Sequence, residues 1–172
     1  VDYDEGEPSV TYKFTERFYG LLDSDESKQF QLTFSEEDRS FFPNNIYDLI
    51  RRIQSSRRIG AWLQWTVMLR SLLEAALEHE GFKPGNLLRQ IQAFRSGPKG
   101  AGFSWHILDD IRFFGNEGAH ESAPVPPEHR EHVLAVTRHF LDVVFVRPGR
   151  DAHMTEKHGA VHPKTAAAEA AK

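Results

Sequence analysis

Hydrophobic residues change their period once along this chain. Near the N-terminus, Val10, Tyr12 and Phe14 alternate with Thr11 and Lys13, and Phe30, Leu32 and Phe34 alternate with Gln31 and Thr33. A period of two predicts short half-buried strands. The turn-rich Asp23-Ser24-Asp25-Glu26-Ser27 between them predicts a small antiparallel β-hairpin. Residues 1–9 form an acidic, aperiodic lead-in. From Pro43 the period is helical. Ile46, Leu49, Ile50 and Ile53 make the first stripe, with Asn44 or Asn45 as its cap and an end near Ser55-Ser56. A second helix over 59–80 turns Trp62, Trp65, Leu69, Leu72, Leu73, Ala76 and Leu77 inward and stops at Gly81. A third covers 86–95 through Leu87, Leu88, Ile91 and Phe94. A fourth runs from about Ser104 to His120, and a fifth from Pro127 to about Phe145, closed by Pro148-Gly149. The predicted architecture is mainly α: a four- to five-helix up-down bundle over 43–147. It carries a small β appendage within an acidic segment, 1–42, and a flexible polar, then Ala-rich tail, 148–172.

Composition narrows the chemistry. A chain of 172 residues, 40% hydrophobic and 27% charged, can bury one core. It has no cysteine, which excludes a disulfide scaffold, a cysteine nucleophile and thiolate-bound zinc. No apolar run approaches the ~20 residues a bilayer requires. No signal-peptide pattern opens the chain, so a cytoplasmic setting is the default. The opening residue is Val1 rather than Met, which reads as a fragment or as trimmed numbering. The net charge of −4 is unevenly spread: residues 1–42 hold eleven acids against four bases, a balance of −7, so the remainder carries +3. That distribution speaks against non-specific nucleic-acid binding over the whole surface and leaves room for a local basic patch.

The stretch 105–120, Trp-His-Ile-Leu-Asp-Asp-Ile-Arg-Phe-Phe-Gly-Asn-Glu-Gly-Ala-His, is the most informative. On one continuous helix, Arg112, Asn116 and His120 are spaced by four and form a line along one face, joined by Asp109. Ile111, Gly115, Gly118 and Ala119 make a neighbouring flank of little bulk. Glycine inside a helix costs about 1 kcal/mol against alanine. Two of them together point to close approach by another backbone, from a neighbouring helix or from a second subunit. The alternative is that Gly115 ends the helix, Asn116 caps a second segment and His120 lies in a turn before the prolines. Arg112 would then simply pair with Asp109 or with Glu74. Arg70 and Glu74 stand at i, i+4 on the second helix. They read either as an ion pair or as a device by which Glu74 orients Arg112 or His120.

Two segments resemble a known family. Residues 67–81, Val-Met-Leu-Arg-Ser-Leu-Leu-Glu-Ala-Ala-Leu-Glu-His-Glu-Gly, contain Leu-Arg-x-x-Leu-Glu. Residues 111–120 read Ile-Arg-x-x-Gly-Asn-x-x-Ala-His. Both resemble the signatures of the prokaryotic domain of unknown function numbered four-one-four-five, which is grouped with the HEPN-like helical domains. The resemblance covers about Ala61 to Arg147. It implies an all-α bundle, often a homodimer, in restriction, phage-defence or toxin–antitoxin systems, where an antitoxin protein or partner domain joins it. Many members of the wider class are metal-independent endoribonucleases that bring Arg and His together across a dimer cleft. By that resemblance Arg112, His120 and Asn116 are the catalytic candidates, supported by Asp109, Glu74 and Arg70, with RNA as the partner. A neutral His suits proton transfer to or from the 2′ and 5′ oxygens, and an Arg suits phosphate charge. No metal and no cofactor is implied. This chain departs from the active pattern. Seven residues separate Arg112 from His120, where four to six are usual, and Gly115 rather than an arginine precedes Asn116. On one helix Arg112 and His120 are about 12 Å apart along the axis. The alternative is a non-catalytic dimerisation, interaction or sensor module, the last with a pocket lined by Trp62, Trp65 and Arg112.

Weaker signals remain. Arg51, Arg52, Arg57 and Arg58 form a basic run that reads as a phosphate-contacting patch or, more simply, as a solvated helix end. His129, His132 and His139, near Glu128 and Glu131, read as a polar helix face rather than a metal site. His153, His158 and His162 in the tail carry incidental metal affinity at most. Trp62 and Trp65 follow the core stripe, although tryptophan also stacks on bases.

Overall fold

Pro43 fixes where the first long helix begins. The computed structural model describes residues 32–161 apart from 102, 104, 121 and 122. A one-turn helix, α1 (Glu36–Arg39), is capped by Ser35, whose hydroxyl accepts the Asp38 N–H at 3.1 Å. Helix α2 (Asn44–Arg58) follows Pro43, which occupies the cap position without a side-chain bond. Asn44 and Asn45 therefore lie in the first turn and do not cap it. The proline's fixed φ already sets the entry. Of the predicted stripe Ile46, Ile50 and Ile53 are buried and Leu49 is half-buried, and α2 runs past Ser55-Ser56 to end at Ile59-Gly60, with Gly60 at φ 72°.

Helix α3 (Trp62–His79) is the centre of the fold. It buries Trp65, Leu69, Leu72, Leu73, Ala76 and Leu77, and packs along both α2 and α5 (Trp105–His120). Between them α4 (Leu87–Ser96) starts on Asn86, whose side chain accepts the Arg89 N–H at 3.2 Å. Pro127 opens α6 (Pro127–Leu141), where its missing N–H has no acceptor to serve. The approach to α6 is held to α3 by a buried bond from Val125 N–H to Thr66 Oγ1 at 2.9 Å.

The chain does not stop at Pro148-Gly149. A π-helical segment, Asp142–Val146, leads into α7 (Arg147–Val161). The widened turn relieves the clash between a proline ring and the preceding carbonyls. The carbonyl four residues before Pro148, that of Val144, accepts from the Lys99 ammonium at 3.4 Å, and Glu80 holds that ammonium at 2.7 Å. Helical structure thus continues beyond the 43–147 unit and into the predicted tail; residues 162–172 lie outside the described residues.

The predicted β-hairpin lies mostly outside the described residues. Its last part, Leu32 to Phe34, has no regular structure, and no strand occurs among the described residues. The Leu32 carbonyl accepts from Gln54 and the Thr33 carbonyl from Arg138, so side chains of α2 and α6 take bonds a sheet would use. The acidic segment also grips α7: Arg150 makes two bonds to buried Asp38, at 2.8 and 2.7 Å, and Phe41 lies against Gly149. No helix among the described residues is long and apolar enough to cross a membrane.

Candidate functional site

Helix α5 is continuous through Gly115 and Gly118, so the line Asp109, Arg112, Asn116, His120 exists as one helical face. The reading in which Gly115 breaks the helix is corrected, and the reason is packing. A Cβ on Gly115 would lie 2.5 Å from Cβ of Arg70, and one on Gly118 would lie 3.0 Å from Cγ2 of Thr66. At both glycines, therefore, the close approach that the low-bulk flank predicts is made by α3 of the same chain.

Along the crossing of α3 and α5 opens a cleft of about 300 Å³, lined by Arg70, Arg112 and Asn116 and, opposite them, by Gly85, Asn86, Leu87 and Leu88. Each family-like motif contributes one arginine. Arg70 bonds Glu74 through Nε at 3.0 Å and through a terminal nitrogen at 2.9 Å. Arg112 bonds Asp109 through Nε at 2.5 Å. Neither Glu74 nor Asp109 lines the cleft. Glu74 thus orients Arg70, its helical neighbour, rather than Arg112. All four side chains are about a quarter to a third exposed, from 24% to 32%, so the pairs stabilise modestly and chiefly fix where the guanidinium heads point. Gly85, at φ 136°, turns the chain into α4 at the far wall. The His120 backbone ends α5 one turn past Asn116, and its side chain lies outside the described residues.

Other predicted residues stand elsewhere. Arg51, Arg52 and Arg58 are exposed on α2, and Arg57 bonds Glu131 of α6 at 2.7 Å; none lines the cleft. The pocket of Trp62, Trp65 and Arg112 does not form. Trp65 is buried in the core, and Trp62 is covered by the Arg130 guanidinium 3.8 Å from its ring centroid. Among the described residues no group of three or more His, Asp or Glu could hold a metal ion. His132 faces Asp110 at 3.4 Å, and His139 stacks on Phe103 with centroids 4.9 Å apart. Burial, helped by the Arg147 charge and opposed by Asp142, pushes His139 below its usual 6.5.

Sequence reasoning missed the far wall of the cleft. The sequence marks 86–88 only as the start of a helix whose stripe includes Leu87 and Leu88, and nothing local says that this start faces two arginines on other helices.

No curated protein and no solved structure matches the chain significantly. A family model does match residues 51–157, well over half of the chain, spanning α3 to α6, most of α2 and most of α7. With both arginines of the cleft inside that match, this chain belongs to the family described as domain of unknown function DUF4145.

Proposed function

We propose that this chain is an HEPN-like, RNA-associated domain of a prokaryotic defence, restriction or toxin–antitoxin system, acting in the cytoplasm. The observation that carries the reading is the convergence of Arg70, Arg112 and Asn116 on one cleft. Two guanidiniums and a carboxamide recognise phosphate oxygens and can stabilise charge that develops on them. His120 follows on the same face, where an imidazole serves as proton donor or acceptor in metal-independent cleavage of the RNA backbone. The test is incubation of the protein with single-stranded and structured RNA in EDTA, beside Arg112→Ala and His120→Ala. Cleavage by the wild type that both variants lose supports an endoribonuclease. Binding without cleavage supports an RNA-binding domain. Neither binding nor cleavage at low salt refutes the reading.

A second reading, a non-catalytic module for a homodimer, partner domain or antitoxin protein, is favoured by Phe113. This large apolar side chain stands 50% exposed beside Arg112. Sedimentation of a concentration-independent monomer, unchanged in Phe113→Ser, would count against the homodimer form.

A further inference from the structure

The cleft has a feature that a general basic surface lacks: its two arginines are aimed. Arg70 comes from α3 and Arg112 from α5, and the Arg70 stem crosses α5 directly over Gly115. Each guanidinium is tied down at its Nε edge by a carboxylate set back from the cleft, Glu74 or Asp109. Arg70 gives a second nitrogen to Glu74, which leaves its other terminal nitrogen. Arg112 keeps both terminal nitrogens without a partner among the described residues. Arg112 held in this way presents its two terminal nitrogens as a fixed fork, the geometry that matches a tetrahedral oxyanion, and Arg70 adds the N–H groups of its remaining terminal nitrogen. Asn116 adds a carboxamide from the turn after Arg112. The volume of about 300 Å³ accommodates one phosphate with its sugar.

We propose that this cleft is a phosphate-binding subsite in which Arg70 and Arg112 share the oxygens of one phosphate group and Asn116 donates to it, while Glu74 and Asp109 act as positioning residues. The chemistry is that of a phosphate carried by a nucleotide or by an RNA strand. The inference rests on reading this cleft as the functional face, and it narrows that reading to a single phosphate group shared by one arginine from each motif, with the carboxylate that positions each arginine.

Titration calorimetry on the full chain tests it with inorganic phosphate, adenosine 5′-monophosphate, and a short single-stranded RNA with and without a 5′-phosphate. Arg70→Lys and Arg112→Lys keep the charge but lose the planar guanidinium that a carboxylate can hold at one edge while the other faces the cleft. Each is expected to weaken the phosphate-bearing ligands roughly tenfold, the scale of one charge-assisted hydrogen bond, with an unchanged thermal melt. A preference for the 5′-phosphorylated RNA over the nucleotide assigns the phosphate to a strand end, and the reverse assigns it to a free nucleotide; both support the subsite. RNA binding retained in full by both lysine variants overturns the subsite and leaves the RNA reading standing. Nucleotide binding lost in both variants, with no RNA binding by the wild type, supports the subsite and overturns the RNA reading. No binding of any of the four ligands overturns both.

Discussion

Replacing Gly115 with alanine sets two effects against each other, and the structure says which wins. In an isolated helix the change would stabilise by about 1 kcal/mol, because alanine gives up less backbone freedom. Here the new methyl would sit 2.5 Å from Cβ of Arg70, 3.0 Å from its Cδ and 3.1 Å from its Cγ. Carbon atoms pack best at about 3.5–4.0 Å. A Cβ cannot rotate away, so relief requires α3 and α5 to part by about 1 Å. That separation loosens buried residues of both helices, among them Leu69, Leu73, Leu108 and Ile111. Overpacking of this kind costs about 1–3 kcal/mol. Set against the helical gain, the net expectation is a loss of about 1 kcal/mol, or roughly 2–4 °C in melting temperature for a domain of this size. Two further variants calibrate the result. Gly118→Ala meets a Thr66 methyl at 3.0 Å, with Thr66 Cβ and the Ala123 carbonyl at 3.5 Å, so its clash is milder and its net shift is closer to zero. Ala119→Gly, at an exposed position of the same helix, reports the propensity term alone and should lose up to about 1 kcal/mol. Urea unfolding followed by circular dichroism measures all three. If Gly115→Ala raises the midpoint, the contact with Arg70 is not as close as described and the reasoning fails.

Two other outcomes can be checked. Acid unfolding should have two contributions. Burial lowers His139 below 6.5 in the folded chain. The unfolded chain therefore takes up that proton first, and stability falls as pH drops below 6.5; His139→Phe should flatten this part. The hydrogen bond from Arg150 holds the Asp38 carboxyl below its usual 3.8. Its stabilisation is complete above about pH 4 and is lost as pH falls further, and Asp38→Asn should remove that lower step in a pH series of thermal melts. At the π segment, Lys99→Met should cost at least about 1 kcal/mol, because it leaves both the Val144 carbonyl and the Glu80 carboxylate without the ammonium. The cost should shrink in a Pro148→Ala background, where an N–H returns to that turn, and a double-mutant cycle by urea unfolding reads the coupling.

What could be read from the sequence was whatever depends on one helix at a time. The stripes of α2 and α3, the span of α4 and the prolines before α6 all sit where local spacing puts them. Features that need a distant partner could not be read. Asp38 reads as one more acid in an acidic segment, and only its bond to Arg150, 112 positions away, makes it a buried anchor. Pro148 reads as a stop because its local effect is to stop helices. The π turn and a lysine 45 residues before Val144 let the helix continue.

The cleft lies on the same boundary. Asp109, Arg112 and Asn116 share a face by helical geometry alone, but which residue of α3 meets them depends on how the two helices are registered. Arg70 and Glu74 lie one turn apart on the same line of α3, so a slip of one turn would exchange them and place a carboxylate against the phosphate-facing side. Gly115 admits the present register, because only where α5 lacks a Cβ can the Arg70 stem come so close. Gly118, against Thr66, continues the same seam one turn further along. The glycine that looked like a weak point in the helix is thus what lets the Arg70 stem lie against α5, in the cleft that Arg112 also lines, and from two cations on one cleft the case for an anionic ligand follows.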